Sequence, residues 1–264
     1  MTERFEAYVD AFPRRTSPLL MTGIVAGDPH LGATRAFMTA LVDGGADVLE
    51  LVLPFSDPTF HGAVMRRACQ RALNEHVRWE GVAEVVSDFR KTEEDVPVVV
   101  TSYLNRVLHL GLERCAELLS SAGADGLMVM DLPASEAQEI KDVLEAQGLA
   151  LIQSVGPSTT VERFQEIAGH ARGLLVWTGH CGAEAEDAAE HGDRLKVLRK
   201  HTRIPLVASM GVESGEDAAE VAQKANGVLV GSSLAWLIEG GADVEDRLRG
   251  FVAELRLHLD RLGD

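Results

Sequence analysis

Eight short apolar runs, each followed by a segment of helical periodicity, recur from one end of the chain to the other. The runs are LLMTGIVAG (19–27), ADVLELVLP (46–54), VPVVVTSY (96–103), DGLMVMDLP (125–133), LALIQSVG (149–156), GLLVWTG (173–179), IPLVASMG (204–211) and NGVLVGSS (226–233). Amphipathic stretches such as TRAFMTALVDGG, LERCAELLSSAGA, EAQEIKDVLEAQG and GEDAAEVAQKA lie between them, with glycine marking helix ends in DGGAD, SAGAD and AQGLA. Strand, crossover helix, strand is the unit of a parallel sheet, and eight such units in 264 residues predict a (β/α)8 TIM barrel. A further helical segment near residues 3–11 precedes the first strand and predicts an extra N-terminal helix. The alternative, a doubly wound sheet, usually opens with a glycine-rich fingerprint after its first strand, and GIVAGDPHLGAT is a poor match. No Pro/Ser-rich linker or break in composition divides residues 1–264, so a single domain is expected.

Charge narrows the partners. Lys and Arg total 25 against 41 Asp and Glu, a net charge of −16, and that field repels nucleic acids and anionic membranes. A small phosphorylated substrate stays compatible, because backbone dipoles offset the global field at one site. Cys69, Cys115 and Cys181 are scattered without metal-ligand spacing, the opening MTERFEAYVDAF has no signal-peptide core, and no apolar run spans a bilayer. The expectation is a reduced, cytoplasmic protein.

The stretch LELVLPFSDPTFHG (49–62) puts a carboxylate, Glu50, inside an apolar strand. Strand side chains alternate, so with Leu49 and Leu51 facing the helices, Glu50 points into the barrel near the strand's C-terminal end, where barrel enzymes work. Burial there raises a carboxyl pKa and suits it to give and take a proton. No cationic partner is evident on a neighbouring strand. Asp131, in MDLP, is the weaker pocket candidate, since an Asp before a proline turn more often binds local amides.

SMGVESGED and VGSSLAW follow the seventh and eighth runs, where barrels often bind phosphate on loop and helix amides. Gly211, Gly231 and Ser232 are the candidates, with Gly182 of TGHCGAE adding an amide after strand six. Between Val207 and Ser233 the one cation is Lys224, expected on an outer helix, so backbone dipoles would hold the anion.

GDP (27–29), GADVLELVLPFSDP (45–58), RAL (71–73), DLP (131–133), GAE (182–184) and VGSS (230–233) occur in an order and spacing that resembles the tryptophan synthase α subunit family over essentially the whole chain. The resemblance implies a (β/α)8 lyase that cleaves indole-3-glycerol phosphate to indole and glyceraldehyde 3-phosphate by a retro-aldol step. It maps the catalytic glutamate onto Glu50, the phosphate-binding backbone onto Gly182, Gly211, Gly231 and Ser232, and a pocket tyrosine onto Tyr103. It also implies that the PFSDP loop and the loop after strand six face a β-type subunit; a homo-oligomer is the other possibility for assembly. No organic cofactor or metal is implied.

The sequence departs from that pattern at the pocket. His61 stands where the family carries a second catalytic aspartate, which accepts the indole N–H. Three roles fit it: an exposed loop histidine, a weaker stand-in, or a new acid–base group suited to neutral pH, of which the last is favoured. Cys181 and His180 alter the loop after strand six, and a metal held by His61, His180 and Cys181 would require their loops to meet. Gly23 falls where an aromatic often lines the indole pocket, and Thr101 makes the third strand more polar; together they predict a roomier, more polar cleft and a smaller or more hydroxylated leaving group. GHCGAEAEDAAEHGD (179–193) is read as a lid. The expected function is therefore an α-type aldol lyase altered in substrate. An ordinary indole-3-glycerol-phosphate lyase and a non-catalytic partner of a β-type subunit are the alternatives.

Overall fold

The computed structural model describes residues 1–179 and 185–263, without the side chains of residues 185–190. Eight parallel strands close into a barrel in sequence order. They are β1 (Leu19–Val25), β2 (Val48–Val52), β3 (Val98–Ser102), β4 (Gly126–Val129), β5 (Ala150–Val155), β6 (Leu175–Thr178), β7 (Leu206–Ser209) and β8 (Gly227–Val230). Each strand is shorter than its apolar run. The surplus residues, such as Leu53, Tyr103 and Met130, stay buried beyond the last rung of the ladder, so hydropathy does not mark where pairing stops.

Two layers of apolar packing follow from strand alternation. Outward residues such as Leu20, Leu49, Leu51, Val100 and Leu127 join the surrounding helices in one core. Inward residues, among them Met21, Val48, Val99, Met128, Ile152, Val176 and Leu229, fill the barrel. Gly227 closes the ring: a Cβ there would lie 2.5 Å from Leu19 Cβ, so β8 meets β1 only where no side chain intervenes.

The extra N-terminal helix is present at Glu3–Ala11 and forms the floor. Its Phe5 is fully buried against the inner cluster, and a Cβ on Gly173 would approach its ring to 2.5 Å. Around this plug, buried Asp125 takes Arg4 at 3.0 Å, Arg90 at 2.7 Å, the Val98 amide at 2.8 Å and the Thr2 hydroxyl. Asp47 pairs with Arg15 at 2.6 Å and Arg256 at 2.9 Å. Among the described residues no helix is long and apolar enough to cross a membrane.

Candidate active site

Glu50 sits on β2 between Gly23 of β1 and Val99 of β3 in the barrel register. It is 6 % exposed. Its Oε1 accepts the Thr101 hydroxyl at 2.6 Å, and no cation pairs with it among the described residues. Burial in this apolar surround pushes its carboxyl up to about 7, against a smaller opposing pull from the Thr101 hydrogen bond. Gly23 is not open space. A Cβ there would overlap Glu50 Oε2 and stand 3.3 Å from Cδ, so the carboxyl fills the volume that a β1 side chain would take. The roomier cleft expected from Gly23 and Thr101 is thus corrected: both residues are spent on Glu50.

Glu50 lines a small cavity of about 50 Å³ at the barrel mouth, which also holds His61, Met65, Met130, Thr178, Ser209, Gly231 and Ser232. His61 and Phe60 also line an adjoining cavity of about 370 Å³, together with Ser154 and residues 156–159 after β5. His61 is carried on the turn that precedes the helix Ala63–Asn74, with its amide bonded to the Pro58 carbonyl at 3.0 Å.

A hydrogen-bond chain defines the state of His61. Buried Tyr103 accepts the Phe60 amide at 3.2 Å, and its hydroxyl lies 2.9 Å from His61 Nδ1. A buried phenol proton needs an acceptor, and of these two partners only the imidazole nitrogen can accept. Tyr103 therefore donates to Nδ1, which leaves the proton of a neutral ring on Nε2. Burial pushes the His61 pKa down to about 4 and the Tyr103 phenol up, so both are neutral around pH 7. His61 is thus bonded to Tyr103, and burial favours its neutral form.

The helix Ser232–Glu239 starts at the residues expected for the anion site, and its N-cap Gly231 supplies no side-chain cap. Its first amides are therefore open to a ligand, unlike those of Gly215–Ala222, where Ser214 Oγ takes the Asp217 amide at 3.2 Å. Ser232 lines both the Glu50 cavity and a cavity of about 410 Å³ with Glu213, Ser233 and Trp236. Gly211 adopts φ +69° in the exposed turn after β7, with open space where a Cβ would be, and lines neither cavity. Lys224 is paired with Glu220 at 2.8 Å, away from the mouth. Gly182, His180 and Cys181, and with them the core of the expected lid, lie outside the described residues.

Asp131 is exposed and accepts the Leu104 amide at 2.6 Å, which satisfies the start of the helix Leu104–Leu110 and takes it out of the pocket. Ser154, Thr178 and Ser209 were missed as mouth residues; they are the last inward positions of β5, β6 and β7, and alternation carried to the strand ends finds them. The site elements are tied together from outside: Arg71 grips buried Asp28 through two bonds of 2.7 and 2.8 Å and reaches Glu239 at 3.0 Å, joining the loop after β1 to both site helices.

A closed parallel barrel with an acid at its C-terminal mouth that is unpaired among the described residues, and an uncapped helix after β8, defines a (β/α)8 enzyme site. Residues 11–257 match the family model described as tryptophan synthase alpha chain. The tryptophan synthase alpha chain of Xylella fastidiosa is 40% identical over 247 residues, covering 91% of this chain and 92% of that one. That of Laribacter hongkongensis is 39% identical over 245 residues, covering 91% and 93%. The crystal structure of tryptophan synthase subunit alpha from Legionella pneumophila superposes with a TM-score of 0.89 at 33% identity, over 99% of this chain and 100% of that one. The chain belongs to the tryptophan synthase alpha chain family.

Proposed function

We propose that this chain is the α-type lyase that cleaves an indole-3-glycerol-phosphate-like substrate to its aromatic part and glyceraldehyde 3-phosphate. The observation that carries this reading is Glu50, a buried acid with no counter-charge among the described residues and a pKa raised to about 7 at the mouth of the barrel. In a retro-aldol step a ring carbon gains a proton, the hydroxyl on the adjacent glycerol carbon loses one, and the carbon–carbon bond between them breaks. Its electron pair goes to the ring, and the hydroxyl carbon becomes the aldehyde. A carboxyl half-ionised near neutral pH serves both transfers. The uncapped first amides of the helix Ser232–Glu239 suit the phosphate. The family further implies a β-type subunit as partner, which would receive the aromatic product.

The donor state of His61 favours a second reading of the leaving group. Where an aspartate would accept an indole N–H, His61 offers N–H from Nε2, which suits a ring bearing an acceptor at that place. Purified protein supplied with indole-3-glycerol phosphate tests both. Indole release by the wild type, lost in E50Q, supports the ordinary substrate. Release that is slow in the wild type and rises tenfold or more in H61D supports the acceptor-bearing one. No indole from either protein rules out indole-3-glycerol phosphate as its substrate.

A further inference from the structure

Gly23 and Thr101 approach Glu50 from the two neighbouring strands, one by leaving space and one by donating a hydrogen bond. We propose that they are positioning residues that hold the Glu50 carboxyl in one orientation, with Oε1 bound to the Thr101 hydroxyl and Oε2 left as the oxygen that carries the transferable proton. Any side chain on residue 23 would collide with Oε2, so this orientation requires glycine on β1. The Thr101 hydroxyl has one proton and gives it to Oε1 at 2.6 Å, its one hydrogen bond among the described side-chain contacts. When Glu50 takes up a proton, Oε1 remains the acceptor and the proton resides on Oε2.

The same bond favours the anion, opposing burial, so it also sets how far the carboxyl is raised. Among the described residues facing Glu50 across its cavity, from β2, β4, β6, β7, β8 and the helix at Ala63, the one other titratable side chain is His61, which is neutral and bonded to Tyr103 on β3. The activity arm of the test rests on the lyase reading above; the titration arm does not.

The experiment follows the Glu50 carboxyl of the free protein by infrared difference titration against E50Q, in the wild type, T101V, T101S and G23A, alongside kcat and KM on indole-3-glycerol phosphate. T101V, nearly isosteric, is expected to raise the Glu50 pKa by about one unit, the tenfold worth of a hydrogen bond to a charged group. T101S is expected to restore the wild-type titration. Both T101V at neutral pH and G23A are expected to lower kcat about tenfold with KM within twofold. An unchanged Glu50 titration in T101V, or G23A with wild-type kcat, overturns the proposal. Shifted titrations in a protein whose wild type releases no indole uphold the positioning and reject the substrate.

Discussion

The carboxylates at the floor of this barrel and Glu50 at its mouth have opposite surroundings. At the floor, Asp125 meets two arginines, a backbone amide and the Thr2 hydroxyl, and Asp47 meets two arginines. At the mouth, Glu50 meets one hydroxyl among the described residues. A carboxylate surrounded by donors joins elements together; a buried acid without a counter-charge holds its proton more tightly. The difference lies in the neighbours and not in the end of the barrel, since buried Asp28 after β1 is fastened by Arg71 on the mouth side.

The comparison breaks most sharply at the two carboxylates themselves. E50Q should lower indole release about 10²- to 10⁴-fold, the usual span for loss of a general acid–base group, while circular dichroism stays native. A loss below threefold would remove Glu50 from the chemistry. D125A should instead cost about 3–5 kcal/mol in denaturant unfolding, because two arginines and an amide lose their partner, with kcat per folded molecule unchanged. Unaltered stability would show that the floor network is not the fastener described.

The pH dependence sharpens the contrast. The Glu50 pKa rises from 4.5 in the unfolded chain to about 7 in the fold, so the folded state binds the extra proton between those values. The stability it contributes is fully present below pH 4.5 and is lost as pH rises through about 7, a change of about 3 kcal/mol. E50Q, which has no charge to bury, should therefore match the wild type near pH 4 and exceed it at pH 8 in parallel urea melts. His61 works in the other direction: its folded pKa is lowered from 6.5 to about 4, so its contribution is present above 6.5 and lost as pH falls toward 4. The smallest expected effect is that of Y103F, which strips the donor from His61 Nδ1. Loss of one hydrogen bond should slow turnover about tenfold, and unchanged kinetics would mean that the tautomer of His61 is not held for catalysis.

The barrel was legible because strand and helix periods alternate without interruption, and Glu50 was legible because a carboxylate breaks one of those strands. The helix start at Ser232 and the local role of Asp131 followed from position and turn chemistry. The meaning of Gly23 did not. Its neighbour across the ladder is fixed by register, and only the pairing of Gly23 with Glu50 shows that the empty volume is already filled. The state of His61 was hidden for a similar reason: it depends on the hydroxyl of a tyrosine 42 residues away. The arginines that satisfy Asp125 come from the N-terminal helix and from the helix Trp79–Arg90, a convergence that no local pattern records.

The most direct measurement is the carboxyl ¹³C chemical shift of Glu50 in glutamate-labelled protein, assigned by its absence in E50Q and followed from pH 4 to pH 9. A midpoint near 7 is expected from an acid buried without a counter-charge. A midpoint below 5 would mean that burial does not raise the Glu50 carboxyl, and the account of Glu50 as an acid set apart by its neighbours would be wrong.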